Sequence, residues 1–143
     1  MMTLEQVTEM LNQGYDCGQV VLFSAAEKLG LDKAETLRLA AGFGGGMFAG
    51  ESCGAVVGGI IALGYAQGHW ECGDMEAKGK FCARVTEFRN KVIDKLGSTM
   101  CRDILGYNVG IPEQFQKVME LNLLQKHCPG VVYQVVEILD SFL

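Results

Sequence analysis

Apolar residues recur three and four positions apart along most of the chain, which is the period of an amphipathic helix. In the first such segment, Thr3 and Gln6 have the spacing of a capping box, and two boundaries led by aspartate follow. The predicted N-terminal helices begin at Thr3, Asp16 and Asp32 and end at Gly14, Gly30 and Gly42.

The second half of the chain shows the same period after a glycine-rich loop at residues 42–50. The predicted helix starts are Ser52, Asp74 (a long helix to about Leu96), Ser98 or Thr99, Pro112 (to about Leu124) and Pro129 (residues 131–142). No segment alternates like a strand, and no repeat or low-complexity linker divides the chain. We predict an all-α fold, a single domain over residues 1–143 that forms a bundle of about seven or eight helices.

Composition narrows the class of protein. The chain is 49% hydrophobic and 20% charged, as in globular domains, and its net charge of −5 argues against nucleic acid as a partner. We expect no secretory signal and no membrane span, because the longest apolar run, residues 55–66, is shorter than the roughly 20 residues that a span needs. These features predict a soluble, cytoplasmic protein, and the high apolar content suggests a homodimer.

Four of the six cysteines lie at predicted helix starts: Cys17, Cys53, Cys101 and Cys128. The positive end of a helix dipole stabilises a thiolate by about 0.3–1 kcal/mol where it is exposed and by about 2 kcal/mol where it is partly buried. We therefore expect several helix N-termini to converge on one electropositive pocket that holds sulfur as thiolate. Gly54 leaves the sulfur of Cys53 open, so Cys53 is the expected nucleophile.

The motif Cys53-Gly54-Ala55-Val56-Val57-Gly58 has one cysteine far upstream and two downstream. In this respect the chain, from Cys17 to its C-terminus, resembles the C-GCAxxG-C-C family of redox-active proteins, which has a CGAxxG motif and four characteristic cysteines. Carried over by position, those cysteines are Cys17, Cys53, Cys101 and Cys128. The resemblance implies a redox role and names no substrate.

Two chemistries suit these four cysteines. Paired thiols can carry out thiol–disulfide exchange or electron transfer as a thiol-dependent oxidoreductase with an unknown redox partner, and the pairing stays open. Alternatively, the same cysteines are ligands of an iron–sulfur cluster or of a soft metal such as zinc or copper(I). No CxxC pair occurs in the chain, which disfavours the metal hypothesis without removing it.

The glycine-rich loop supplies Gly44, Gly45 and Gly46 as candidate cofactor-binding residues. Their backbone can pass close to the pocket or donate N–H groups to an anion or a cluster sulfide. The loop also matches a loose GxGxxA dinucleotide pattern, but that pattern needs a preceding strand, and a helix is predicted there.

Other small or reactive residues have simpler interpretations. Gly54 and Gly58 share a helix face that allows close approach of another helix, so an assembly protein that packs through residues 54–64 is a third hypothesis. Cys82 lies on a predicted apolar face, where cysteine is usually a small buried hydrophobe. Cys72 is either an exposed bystander or an accessory ligand, and His127 is a surface residue or a base beside Cys128.

Overall fold

The computed structural model describes residues 1–143 and contains nine α-helices. They are α1 (Leu4–Asn12), α2 (Cys17–Leu29), α3 (Lys33–Leu39), α4 (Gly54–Gln67), α5 (Met75–Leu96), α6 (Cys101–Leu105), α7 (Pro112–Glu120), α8 (Leu123–Lys126) and α9 (Cys128–Asp140). The all-α prediction is confirmed. The predicted number of helices is too low, because the helix expected from Pro112 to Leu124 is broken at Asn122, whose φ of 51° is left-handed.

Local capping chemistry explains why several helices begin where the sequence predicts. Thr3 and Gln6 form the expected capping box of α1. The side chain of Asp32 accepts the Glu35 N–H at 2.9 Å at the start of α3. These hydrogen bonds satisfy N–H groups that would otherwise have no partner within the helix.

Helices α2, α4 and α9 form the centre of the core. Helix α2 packs most extensively against α4, and both contact α9. The largest fully buried side chains include Leu22 of α2, Leu63 of α4, Phe88 of α5 and Leu139 of α9. None of the nine helices combines the length and the apolar character required to cross a membrane.

Glycines allow α2 and α4 to cross in close contact. A Cβ atom at Gly58 would lie 2.5 Å from the carbonyl oxygen of Gly18, and one at Gly18 would lie 2.8 Å from the carbonyl oxygen of Gly54. The predicted close approach at Gly54 and Gly58 is therefore confirmed, and the approaching helix is α2. Since Phe88 also packs on Gly59, this face is occupied within the chain and is not free for the assembly role considered above.

Residues 45–48 form a left-handed turn within the glycine-rich loop. Gly45, Gly46, Met47 and Phe48 all have φ between 57° and 63°. Gly46 is required here, because a Cβ atom would collide with the backbone of Glu51. The N–H of Glu51 donates to the carbonyl oxygen of Gly46 at 3.1 Å and closes the turn.

A single antiparallel β-bridge between Ser52 and Met100 aligns the starts of α4 and α6. The N–H of Cys53 donates to the carbonyl oxygen of Thr99 at 2.8 Å, and the N–H of Cys101 donates to that of Glu51 at 2.7 Å. The expectation that Ser52 caps α4 is wrong. The bridge holds Ser52 in extended pairing, and Cys53 itself is the N-cap.

Candidate functional site

The starts of four helices enclose one cavity of about 590 Å³. Its lining includes all four predicted cysteines, Cys17, Cys53, Cys101 and Cys128, at the first turns of α2, α4, α6 and α9. The α2–α4 crossing brings the first two together, and the β-bridge sets Cys101 beside Cys53. Convergence of these helix starts, inferred from local sequence alone, is thus what the fold produces.

Cys17 and Cys53 line the same cavity, and each thiol is the main cause of the pKa shift of the other. Gly54 makes this arrangement sterically feasible, since a Cβ atom at that position would lie 2.5 Å from the Cys17 sulfur. The two glycines of the CGAxxG motif therefore have distinct roles. Gly54 makes room for the neighbouring sulfur, and Gly58 makes room for the backbone of α2.

The paired thiols have opposite pKa shifts. The pKa of Cys53 is lowered, chiefly by the hydrogen bond from Cys17 and further by the N–H groups of Ala55 and Val56, against the opposing effect of burial. The pKa of Cys17 is raised well above its ordinary value, because its proton is held by Cys53 and its surroundings are desolvated. Of the two, Cys53 is therefore the thiol that ionises more readily, with Cys17 as its hydrogen-bond donor.

At Cys101 and Cys128, burial raises the thiol pKa, which is the reverse of the lowering expected at a helix start. Desolvation raises the pKa of Cys101 to about 11 and that of Cys128 to about 12, and neighbouring cysteines add to both shifts. The prediction that all four helix starts favour thiolate is therefore wrong for Cys17, Cys101 and Cys128. A low-dielectric environment penalises the charged form more than a helix terminus stabilises it.

The cysteine with the lowered pKa is also the least accessible of the four. Cys53 is 6% exposed, whereas Cys17, Cys101 and Cys128 are partly exposed. Because Cys53 lines the cavity, a reactant that enters the cavity meets this residue.

One of the three candidate glycines faces the site. The N–H of Gly45 donates to the Cys17 sulfur, as expected of a loop that supplies backbone donors. Gly44 instead packs against the side chain of Asp16, and Gly46 packs against Glu51, so neither lines the cavity.

Two further residues line the site: Asp16 was not assigned to it from sequence, whereas Phe48 was a candidate either to shield the pocket or simply to pack. Asp16 lines the cavity next to Cys17, and partial burial raises its carboxyl pKa. Its position one residue before a helix-start cysteine was the available signal. Phe48, in the left-handed turn, also lines the cavity although it is 61% exposed, which places it at the mouth.

His127 connects two cysteine-bearing helix starts. Its Nε2 atom lies 3.0 Å from the carbonyl oxygen of Ile104, which joins the start of α9 to α6. The histidine lines the cavity, but this ring nitrogen is already engaged with backbone.

The two remaining cysteines lie outside the cavity, and both are exposed. The expectation that Cys82 is buried is wrong. Helix α5 buries Phe88 and Val92, and Phe81 also packs against the core. Cys82 follows Phe81 directly, and successive residues of a helix point about 100° apart, so it faces away from the core.

The residues that could hold a metal do not form a ready-made site. No group of three or more His, Cys, Asp or Glu side chains is arranged to hold a metal ion. The four cavity cysteines are the available ligands, and binding would require their side chains to move closer together.

Comparison with protein families gives one match. The model described as "Putative redox-active protein (C_GCAxxG_C_C)" covers residues 15–142. No curated protein and no solved structure matches the chain. Since the family model spans nearly the whole sequence, including all four cavity cysteines, the chain belongs to the C_GCAxxG_C_C family.

Proposed function

We propose that the protein carries out thiol–disulfide exchange, with Cys53 as the attacking thiolate and Cys17 as the resolving thiol. One observation carries the proposal: Cys17 and Cys53 line one cavity at the glycine crossing of α2 and α4, and their pKa values are shifted in opposite directions. The thiolate is the nucleophilic form of cysteine, and a neighbouring thiol is what a dithiol mechanism needs for its second step.

The reaction consumes one disulfide. The Cys53 thiolate attacks one sulfur of R–S–S–R, the mixed disulfide Cys53 Sγ–S–R forms, and RS⁻ leaves and takes up a proton from water. Cys17 then releases its proton to water and attacks the Sγ atom of Cys53. The second RS⁻ leaves, and a Cys17–Cys53 disulfide remains. Two protein thiols are oxidised while one substrate disulfide is reduced to two thiols, and a cellular thiol must reduce the protein again.

Backbone donors support the first step. The N–H groups of Ala55 and Val56 stabilise the charge on Cys53 before attack. The N–H of Gly45, directed at the sulfur of Cys17, favours the Cys17 thiolate and so assists the second step. A reducing compartment such as the cytoplasm suits this site, because disulfides there are transient and catalytic.

Trapping the mixed disulfide distinguishes the nucleophile, Cys53, from the resolving thiol, Cys17. With bis(2-hydroxyethyl) disulfide as substrate, Cys53→Ser should abolish exchange, whereas Cys17→Ser should accumulate a mixed disulfide on Cys53 that mass spectrometry detects. Cys82→Ser is the matched control, since that thiol is exposed and lies outside the cavity. Unchanged exchange in Cys53→Ser would show that the nucleophile is another residue.

An iron–sulfur cluster or soft metal held by the same four cysteines is the second candidate. The observation that favours it is that all four line one cavity. Iron with acid-labile sulfide, or stoichiometric zinc or copper, in protein purified without oxygen would support it. Metal-free protein whose thiols oxidise in pairs would support the dithiol reaction instead.

A further inference from the structure

We infer from the walls of the cavity that the substrate is a small disulfide with apolar groups and no negative charge. This inference rests on the proposed exchange reaction and adds the class of molecule on which it acts. Three properties of the cavity carry it: limited access to Cys53, an apolar lining and an absence of cationic side chains.

Access sets the size of the substrate. Cys53 is 6% exposed, and its sulfur is reached through a cavity of about 590 Å³. Cavities of roughly 300–1,000 Å³ are typical of small-molecule sites in proteins. A small disulfide fits within a cavity of this volume, whereas a folded protein would have to present its disulfide at the mouth, so we expect small disulfides to react faster.

The lining sets the polarity of the substrate. Of the 21 lining residues, 14 are hydrophobic when the four cysteines are included, so a bound molecule exchanges water largely for apolar side chains and sulfur. Leu11, Ile104 and Val131 line the cavity, and two partly exposed aromatic residues, Phe48 and Phe115, also contribute to it. Polar substituents would lose hydration against these walls with few partners to replace it.

The charge of the cavity lining disfavours anionic substrates. No lysine or arginine lines the cavity, while Asp16 does, and the reacting Cys53 thiolate adds a second negative charge. The Nε2 atom of His127, which also lines the cavity, lies 3.0 Å from the carbonyl oxygen of Ile104, so this nitrogen is not available to a bound carboxylate. A carboxylate-bearing disulfide therefore meets like charge in a cavity without lysine or arginine. The helix N-termini there do not offset the desolvation of a charge, since burial raises the pKa of Cys101 and Cys128 at the same helix starts.

Three disulfides of similar length test the inference on the full-length protein. They are cystamine, which is cationic, bis(2-hydroxyethyl) disulfide, which is neutral, and 3,3′-dithiodipropionate, which is anionic. The rate of Cys53 modification by each is divided by its rate with 2-mercaptoethanol, which removes differences in intrinsic reactivity. We expect the normalised rate of the anionic probe to be about tenfold or more below that of the neutral probe. The cationic probe should lie between them, because Asp16 attracts its charge while the apolar walls disfavour its desolvation.

Asp16→Asn isolates the contribution of cavity charge. Asparagine is as good an N-cap as aspartate, so the start of α2 is retained. The substitution should raise the anionic-to-neutral rate ratio several-fold. Asp94→Asn makes the same charge change at an exposed position of α5 outside the cavity, and it should leave the ratio unchanged.

The outcomes distinguish the two proposals. If Cys53 reacts as fast with the anionic probe as with the neutral one, or as fast with the disulfide of a folded protein as with the small probes, the substrate class is wrong. Either result would leave the proposed thiol–disulfide exchange intact. If none of the three probes modifies Cys53 ahead of the other cysteines, the exchange reaction itself is wrong.

Discussion

At the scale of single residues, identical side chains differ because their surroundings differ. Cys17 and Cys53 both lie at helix starts and line one cavity, yet the pKa of one is raised and that of the other lowered. The difference comes from the direction of hydrogen bonding. Cys53 accepts from Cys17 and from two backbone N–H groups, whereas Cys17 is the donor within the pair.

Removal of the Cys17 thiol tests this account. Cys17→Ala deletes the hydrogen bond that is the main cause of the lowered pKa of Cys53, so that pKa should rise. The pH dependence of the Cys53 alkylation rate measures the shift, with Cys82→Ala as the control. A Cys53 pKa that stays the same or falls in Cys17→Ala would contradict the assignment of donor and acceptor.

At the scale of elements, the site depends on how closely α2 and α4 approach. Gly18, Gly54 and Gly58 remove the side chains that would separate the two helices, and the first turns of both carry the paired cysteines. The left-handed turn at residues 45–48 then brings the Gly45 N–H to the Cys17 sulfur. Small residues, rather than reactive ones, thus determine the geometry of the pair.

A methyl group at Gly54 should disrupt this approach. In Gly54→Ala the new Cβ atom would lie 2.5 Å from the Cys17 sulfur and would also clash with the carbonyl oxygen of Phe43. We expect a loss of about 1–3 kcal/mol in the free energy of unfolding, measured by urea denaturation.

The matched control is Gly79→Ala on α5, where a Cβ atom meets nothing within 4 Å. That change should stabilise the protein by up to about 1 kcal/mol through helix propensity. A similar effect of the two substitutions would mean that Gly54 is not sterically required.

The left-handed conformation of Met47 indicates that glycine at this position should stabilise the protein. Met47 has a φ of 58°, a conformation that costs a side-chain-bearing residue roughly 1–2 kcal/mol and glycine almost nothing. Met47→Gly should therefore raise the unfolding free energy by about 1 kcal/mol, after allowance for the greater entropy of glycine in the unfolded chain.

Replacing methionine by glycine within a right-handed helix should have the opposite effect on the unfolding free energy. Met119 is similarly exposed but lies within α7, so Met119→Gly should lower the unfolding free energy by up to about 1 kcal/mol. Thermal or urea unfolding of both variants compares them directly. Destabilisation by Met47→Gly would argue against strain in the turn.

At the scale of the whole molecule, the site links stability to pH. Folding raises the pKa of Cys101 to about 11 and that of Cys128 to about 12, so the folded protein holds these protons where the unfolded chain releases them. The resulting stability is fully present below the ordinary thiol pKa and is lost as pH rises through the raised values.

We therefore expect the unfolding free energy to decline between about pH 9 and pH 12, in part because of these two thiols. Cys128→Ser replaces one of them with a hydroxyl that does not titrate there, so its stability should decline less steeply across that range. Urea denaturation at several pH values measures the slopes, with Cys82→Ser as the control. Equal slopes in Cys128→Ser and the native protein would contradict the raised pKa.

Much of the fold was predictable because its signals are local. The Thr3 capping box and the Asp74 cap of α5 both occur as expected, because each satisfies N–H groups within the next turn of its own helix. The cavity cysteines were identifiable for the same reason. The break at Asn122 and the exposure of Cys82 could not be predicted from sequence, since each depends on how a helix packs against its neighbours.

The sequence by itself determined the helical class, most helix starts and the four cysteines at those starts, because periodicity and capping act between residues a few positions apart. Only the tertiary structure decided which sulfurs are neighbours, which of them favours the thiolate, and the apolar character of the cavity around them. These properties arise from the glycine crossing of α2 and α4, the bridge at Ser52 and Met100, and the burial of each thiol. Contacts between distant segments set the local dielectric and the hydrogen-bond donors, and those two quantities set a pKa.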